Sequence, residues 1–459
     1  MFSLREAFGW LSAGRLIGDG ALRIATVGTD SRTVAPGALF VALRGEHHDA
    51  HAFIPQVQAA GAAAVVVERW VEGMRAPALI VPDTRVALGE IAAGWRRRFA
   101  LPLIAVTGSN GKTTVKEMIA SILAARFGED ARLATAGNLN NDIGVPMTVL
   151  RLRDVHRAAV LELGMNRPGE IAWIASVAQP TVALVNNAQR EHQEFMQSVE
   201  ATAYENGASL SALPPDGTAV FPGDDPHTPL WRGLSGARAR IEFGLTPECA
   251  VRADPSARPE GFDMTIGTAR VRVSLAIDGL HNVRNALAAA ACATAIGLDP
   301  ETVAAGLAQF RPVRGRLARL NGAGGATVID DSYNANPDSV RAAVDVLAAV
   351  PAPRVLVLGD MGEVGAEGPQ FHREVGAYAA QRGVDRLLAL GDACRDAAAA
   401  FGAGAEHFES VDALIERARD DPDMLPALRR RAADRAPLFS PQAEQATLLR
   451  LLQDLLPLT

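Results

Sequence analysis

"LPLIAVTGSNGKTTVKE", Leu101 to Glu117, is the stretch on which the fold turns. Leu103, Ile104, Ala105 and Val106 form an apolar run with two β-branched members, which predicts a buried strand. The run passes into Thr-Gly-Ser-Asn-Gly-Lys-Thr-Thr, after which Val115, Met118, Ile119, Ile122 and Leu123 share one helical face. The loop Gly108 to Lys112 therefore joins a strand end to a helix N-terminus, where unpaired N–H groups and the positive end of the helix dipole attract an anion. A strict G-x-x-x-x-G-K-S/T loop requires glycine at the position of Val106, so this pattern is a shorter one. Gly108, Ser109, Asn110, Gly111, Lys112, Thr113 and Thr114 are the expected nucleotide-phosphate-binding residues, Lys112 reaching the outer phosphates and Thr113 the Mg²⁺. The rival reading, an ordinary turn with a solvated lysine, sits poorly with a Lys-Thr pair at the helix start.

Working outward, buried-strand patterns recur at "LIAVTG", "AAVLELG", "TVALVNN" and "TAVF", with helical stretches between most of them. This alternation predicts an α/β fold whose central unit is a doubly wound, mostly parallel sheet carrying the phosphate loop. Before it, "ALFVAL", "AAAVVVE" and "ALIVP" predict a small N-terminal α/β domain. After the Gly- and Arg-rich "RPVRGRLARLNGAGG", expected as a linker, "TVIDD", "RVLVLGD" and "DRLLALGD" predict a Rossmann-like C-terminal α/β domain. With 459 residues, three domains are expected, at 1–98, 99–312 and 313–459.

A chain with 48% hydrophobic and 21% charged residues is neither disordered nor fibrous. A formal charge of -7 supplies no basic footprint for nucleic acid, and the runs Arg96 to Arg98 and Arg429 to Arg431 are expected as solvated helix faces. The Ala-rich run Ala286 to Leu298 is too short to span a bilayer, and the N-terminus lacks a signal-peptide apolar region. Cys249, Cys292 and Cys394 are isolated, without CxxC spacing, which points to a reducing cytoplasm. A monomer is expected.

"TGSNGKTT" resembles the ATP loop of the Mur ligases, the ATP-dependent amide-forming enzymes of peptidoglycan synthesis, and of the related folylpolyglutamate synthases. "DSRTVAPGALFVALRGEHHDAHAF" (Asp30 to Phe53) is similar to their UDP-sugar-binding segment. "GNLNNDIGVP" (Gly137 to Pro146), "LELGMNRPGEI" (Leu161 to Ile171) and "GLHNVRNALAA" (Gly279 to Ala289) are similar to their central motifs. "DDSYNANPDS" (Asp330 to Ser339) and "VLGDMGEVG" (Val357 to Gly365) resemble the member that adds a dipeptide. The resemblance implies ATP and Mg²⁺, a UDP-N-acetylmuramoyl-tripeptide substrate, D-alanyl-D-alanine as acceptor and an acyl phosphate between them. The alternatives are a family member adding the third residue, or a nucleotide-binding homologue without catalysis.

The resemblance also implies roles. Lys112 would be catalytic, Glu162 would join Thr113 at the magnesium bound to ATP, and His192 would ligate a second magnesium or contact the γ phosphate; a strand-end carboxylate could instead cap a helix, and a lone histidine could simply be solvated. Many Mur ligases carry a carbamylated lysine where this chain has Glu205-Asn206-Gly207. Glu205 could supply that carboxylate directly or be a surface glutamate. Asn282 would contact adenine or cap its helix, and Arg316 and Asp331 would meet the nucleotide from the other side or pair at the surface. Ser31, Arg32, Gly45, Asp49, Asn138, Asn140, Asn141, Tyr333, Asn334 and Asn336 would bind substrate, the last three also being consistent with plain turn chemistry. His47, His48 and His51 lack metal-site spacing. The family's late lysine-glycine-serine-arginine turn is missing from the last segment, which puts the acceptor side in doubt.

Overall fold

The computed structural model describes residues 1–45, 48–75, 77–191, 193–321 and 327–420. The three N-terminal apolar runs form β3 (Ala38–Val41), β4 (Ala64–Val67) and β5 (Ala78–Ile80), joined by β1 (Arg15–Ile17) and β2 (Thr26–Gly28) in the order β1-β5-β4-β3-β2. Only the β1–β5 pair is antiparallel. β3 and β4 are buried along their whole length, as expected of parallel strands covered on both faces.

The phosphate-loop strand, β6 (Leu103–Thr107), lies inside a nine-stranded sheet. The other members are β7 (Arg132–Ala134), β8 (Ala158–Glu162), β9 (Val182–Val185), β10 (Thr218–Pro222), β11 (Ala239–Gly244), β12 (Val251–Ala253), β13 (Phe262–Ile266) and β14 (Ala269–Val273). Their order is β14-β13-β12-β11-β10-β9-β6-β8-β7, parallel except for the hairpin pairs β12–β13 and β13–β14. The chain leaves β6 for β8 and β7 on one side and for β9 and β10 on the other. β6 therefore stands where the winding reverses, the place where α/β sheets open a crevice at their carboxyl ends.

The helix Lys112–Phe127 buries Val115, Met118, Ile119, Ile122 and Leu123 completely. It shares one core with the Ala-rich helix Leu280–Ala295, whose residues from Ala286 to Ala293 are all buried. Among the described residues no helix is long and apolar enough to cross a membrane.

One arginine departs from expectation. Arg96 is 4% exposed, and its guanidinium donates to the carbonyls of Ala178, Phe99, Leu101 and Gln179, tying the helix Thr84–Arg96 to the segment before β6 and to the end of the helix Glu170–Ala178. A buried guanidinium is tolerated there because four carbonyl oxygens replace its water. Arg97 and Arg98 are exposed, as read from the sequence. Arg429 to Arg431 lie outside the described residues.

The expected linker carries a strand, β15 (Ala318–Asn321), which pairs antiparallel with β16 (Thr327–Asp330). "TVIDD" thus belongs to a hairpin and stays out of the C-terminal sheet. That sheet is parallel and comprises β17 (Val355–Gly359), β18 (Arg386–Leu390) and β19 (Ala405–Phe408). Its helices Pro337–Ala348, Gly368–Gln381 and Cys394–Phe401 close a separate core around Val344, Val375 and Leu387. The C-terminal helix read around Leu448 to Leu455, and the segment lacking the family turn, lie outside the described residues.

Candidate active site

Gly108 and Gly111 shape the loop between β6 and its helix. Their φ angles are +132° and +78°, and a Cβ at Gly111 would come within 2.6 Å of the Asn285 Oδ1 and 2.8 Å of the Asn186 Nδ2. Only glycine meets both conditions at Gly111. The first loop amides are already engaged by the protein: the N–H of Gly108 donates to Asn206 Oδ1 (2.8 Å), that of Ser109 to the Asn187 carbonyl (3.2 Å) and that of Asn110 to Asn187 Oδ1 (2.9 Å). Ser109 Oγ accepts from the Gln189 N–H (2.9 Å), and Asn110 Nδ2 donates to Gln189 Oε1 (2.6 Å). The donors left for an anion are therefore the first N–H groups of the helix Lys112–Phe127, which lack an intrahelical partner.

A chain of amides sets this geometry. Asn285 Nδ2 donates to Asn282 Oδ1 (2.8 Å), Asn186 Nδ2 to Asn285 Oδ1 (2.9 Å) and to the Asn110 carbonyl (2.8 Å). An amide carries both donor and acceptor, so each member satisfies the next without charge. Asn282 is 1% exposed and lines the cleft.

The cleft has a volume of about 790 Å³. It brings together Ser109, Asn110, Gly111, Lys112, Thr114, Asn138, Asn140, Asn141, Glu162, Asn282, Arg316, Asp331, Tyr333 and Asn334. Lys112 Nζ donates to the carbonyls of Gly108 (2.6 Å) and Ser109 (3.0 Å) and to Glu191 Oε1 (2.8 Å). Glu162, at the end of β8 and 3% exposed, accepts from Asn140 Nδ2 through Oε1 (2.8 Å). Its Oε2 is buried with no hydrogen-bond partner among the described residues. Such an oxygen beside a phosphate loop fits a hard divalent cation such as Mg²⁺.

Across the cleft, the Arg316 guanidinium stacks at 4.0 Å over the Tyr333 ring. Asp331 accepts from the Leu317 N–H (3.2 Å), and burial pushes its carboxyl up to about 6 despite the nearby Arg316. Leu317, with φ +51°, turns the chain between these two residues.

Several expected residues are used differently. The Thr113 hydroxyl accepts from Arg316 Nη2 (3.3 Å), and it is Thr114 that lines the cleft with Glu162. Glu205 does not face the cleft: its oxygens accept from the Gly169 and Ile171 N–H groups (2.9 Å each), so it caps the helix Glu170–Ala178. A carboxylate at a helix N-terminus satisfies orphan donors and the dipole together, which explains its burial. Its neighbour Asn206 is the residue that touches the loop. Asn336, 6% exposed, caps the helix Pro337–Ala348 through Ser339 and donates from Nδ2 to Asn110 Oδ1 (2.8 Å); it bridges the loop to that helix and does not line the cleft. His192 lies outside the described residues.

Ser31, Arg32, Gly45 and Asp49 are not brought to this cleft. Arg32 pairs with Asp30 (2.7 Å), the Gly45 N–H donates to the His48 carbonyl (2.8 Å), and Asp49 holds Arg69 (2.7 Å) and the buried His51 (2.6 Å). His47 lies outside the described residues. From that part of the chain the cleft takes Arg85, paired with Asp142 (2.8 Å). Asp360, His372 and Cys394 also converge, but His372 Nδ1 meets the Gly368 carbonyl (2.7 Å) and Nε2 accepts from the Met361 N–H (3.0 Å). That histidine is a structural residue.

Sequence reasoning missed Asn186, Gln189, Arg190, Glu191 and Asn206. The polar "NNAQRE" directly after β9, next to the loop strand, was the available signal, because polar clusters at the carboxyl ends of parallel strands face the crevice. Arg190 joins this segment to the C-terminal unit, forming ion pairs with Asp338 (2.6 Å) and Glu374 (2.7 Å) and lying 5.1 Å over Phe371.

Comparison with known proteins agrees with this geometry. Family models described as "Mur ligase family, catalytic domain", "Mur ligase middle domain" and "Mur ligase, glutamate ligase domain" match residues 23–96, 106–293 and 315–424. The UDP-N-acetylmuramoyl-tripeptide–D-alanyl-D-alanine ligase of Escherichia coli is 44% identical over 395 residues, 85% of this chain and 86% of that protein. The ligase of the same name from Haemophilus influenzae is 38% identical over 87% of this chain and 88% of its own length. A crystal structure of MurF from Acinetobacter baumannii superposes with a TM-score of 0.85 at 34% identity, covering 91% of each chain. MurF ligase from Thermotoga maritima, solved in complex with ADP, shares the fold at 23% identity with a TM-score of 0.77, covering 88% of this chain and 92% of that one. The chain belongs to the Mur ligase family.

Proposed function

We propose that this chain is an ATP-dependent ligase that joins D-alanyl-D-alanine to UDP-N-acetylmuramoyl-tripeptide through an acyl phosphate. One observation carries the reading: one cleft is lined by Lys112, at the N-terminus of its helix, and by Glu162, whose buried Oε2 has no hydrogen-bond partner among the described residues. Such a site suits the outer phosphates of ATP and their cation. The names of the relatives supply the substrates.

In this reading residues 1–98 take the UDP-sugar, with Ser31, Arg32, Gly45 and Asp49 as contacts; residues 99–312 take ATP; residues 313–459 take the acceptor, with Tyr333 and Asn334 at the cleft. Glu162 would hold Mg²⁺, with His192 and a threonine hydroxyl, and the ion would neutralise phosphate charge. The tripeptide carboxylate bonds to the γ phosphorus as the bond to ADP breaks. The dipeptide nitrogen then bonds to the acyl carbon, gives up a proton to solvent, and phosphate leaves. Lys112 and the helix N–H groups hold the phosphoryl charge while Arg316 and Asp331 close the far side, and exclusion of water protects the acyl phosphate. The three buried cysteines fit a reducing cytoplasm, where a monomer would act.

The test is phosphate release. It should require ATP, UDP-N-acetylmuramoyl-tripeptide and D-alanyl-D-alanine together, and fall by about a hundredfold or more in Lys112→Ala. Release with meso-diaminopimelate or lysine in place of the dipeptide would reassign the acceptor. ATP binding without release would leave a nucleotide-binding homologue.

A further inference from the structure

We propose that Glu191 is a positioning residue that holds Lys112 and yields it to the outer phosphates of ATP. The proposal rests on the ATP reading above and concerns a residue that reading does not use. An ammonium has three donors and no acceptor, and all three of Lys112 are engaged, by two loop carbonyls and by Glu191 Oε1 at 2.8 Å. Both side chains are largely shielded, at 15% exposure for Lys112 and 7% for Glu191. A phosphate oxygen can therefore reach this ammonium only by exchange.

The structure indicates which partner gives way. The carbonyls of Gly108 and Ser109 belong to a loop whose own N–H groups are pinned by Asn206 and Asn187, so they are fixed with the backbone. Glu191 approaches on a side chain. Its negative charge also stands where phosphate charge must arrive, and two anions cannot share one ammonium in a shielded site without repulsion. The exchange has a use: the Glu191 carboxylate keeps Lys112 over the loop and electrically balanced, and anion replaces anion on binding. A ligand without a phosphate at Lys112 gains nothing from displacing the carboxylate.

The test compares Glu191→Gln with the unaltered chain for affinity to ADP and to AMP by calorimetry. Removing the competing charge should tighten ADP binding by about tenfold and leave AMP, whose phosphate stops short of Lys112, unchanged. A residue that merely supports the fold would weaken both. Unchanged or weaker ADP binding by a folded variant overturns the proposal, as does an equal gain for AMP. Failure of the unaltered chain to bind ADP would instead overturn the ATP reading, and this proposal with it. A structure of the unaltered chain with ADP gives the second measurement, independent of any variant. Lys112 Nζ should contact the β phosphate and lie beyond hydrogen-bond distance of Glu191; retention of the Lys112–Glu191 bond at 2.8 Å overturns the exchange.

Discussion

Arg190→Ala should loosen the C-terminal unit from the central sheet without disturbing the phosphate loop. The guanidinium donates to both oxygens of Asp338 and both of Glu374, at 2.6 to 3.2 Å, from a segment that follows β9. Its main effect can be sized at Glu374, whose carboxyl is held at about 2 against an ordinary 4.5, chiefly by Arg190 and, behind opposing burial, by Arg341. That difference corresponds to about 3 kcal/mol in total. Sharing it between two arginines, and discounting for the water that still reaches the carboxylate, leaves about 1.5 kcal/mol for Arg190, or about tenfold in the docked-to-undocked ratio. Small-angle scattering should then show a larger radius of gyration, and the KM for D-alanyl-D-alanine should rise more than ADP affinity falls. Arg190→Lys, which keeps the charge but not the planar fork, should fall between. Because the Glu374 pKa is depressed, its contribution is present above about pH 4.5 and lost as pH falls towards 2, so the defect should be constant between about pH 6 and 9. Unchanged scattering and an unchanged acceptor KM in Arg190→Ala would refute the reasoning.

Three further perturbations have defined outcomes. Asp331 has a folded pKa raised from 3.8 to about 6, so the ionised form costs stability that is intact below 3.8 and lost as pH rises through 6. Asp331→Asn should therefore melt higher than the unaltered chain at pH 8, with the gap closing near pH 4; a gap independent of pH would contradict the burial argument. Glu205→Gln should cost about 1 kcal/mol in denaturant unfolding through its helix cap, with phosphate release insensitive to bicarbonate in both proteins, whereas lost Mg²⁺ affinity at unchanged stability would restore the metal role. Glu162→Gln should raise the Mg²⁺ needed for half-maximal phosphate release by about tenfold or more, and a matched Mg²⁺ titration would exclude Glu162 as a ligand.

What the sequence determined by itself was local. A β-branched run, two glycines, Lys-Thr and a periodic helix are neighbours along the chain, so strand, loop and helix N-terminus follow from short-range sterics and burial. The mostly parallel sheet was legible for the same reason, since each buried strand announces itself by a continuous apolar run. Only tertiary structure decided which partner each polar side chain takes. Glu205 carries the same carboxylate whether it meets a metal or a helix end, and its meeting with Ile171 depends on packing across 34 residues. Asn336 and Asn110 lie 226 residues apart, and nothing local distinguishes a domain bridge from a substrate contact. Lys112 was legible as the lysine that opens the helix after the glycine loop, but its tie to Glu191 was not, because that bond exists only once β6 and β9 lie side by side and bring their loops together. Hydrogen bonds of this kind are directional and short, so they are set by the final placement of whole elements and leave no periodic trace in the chain.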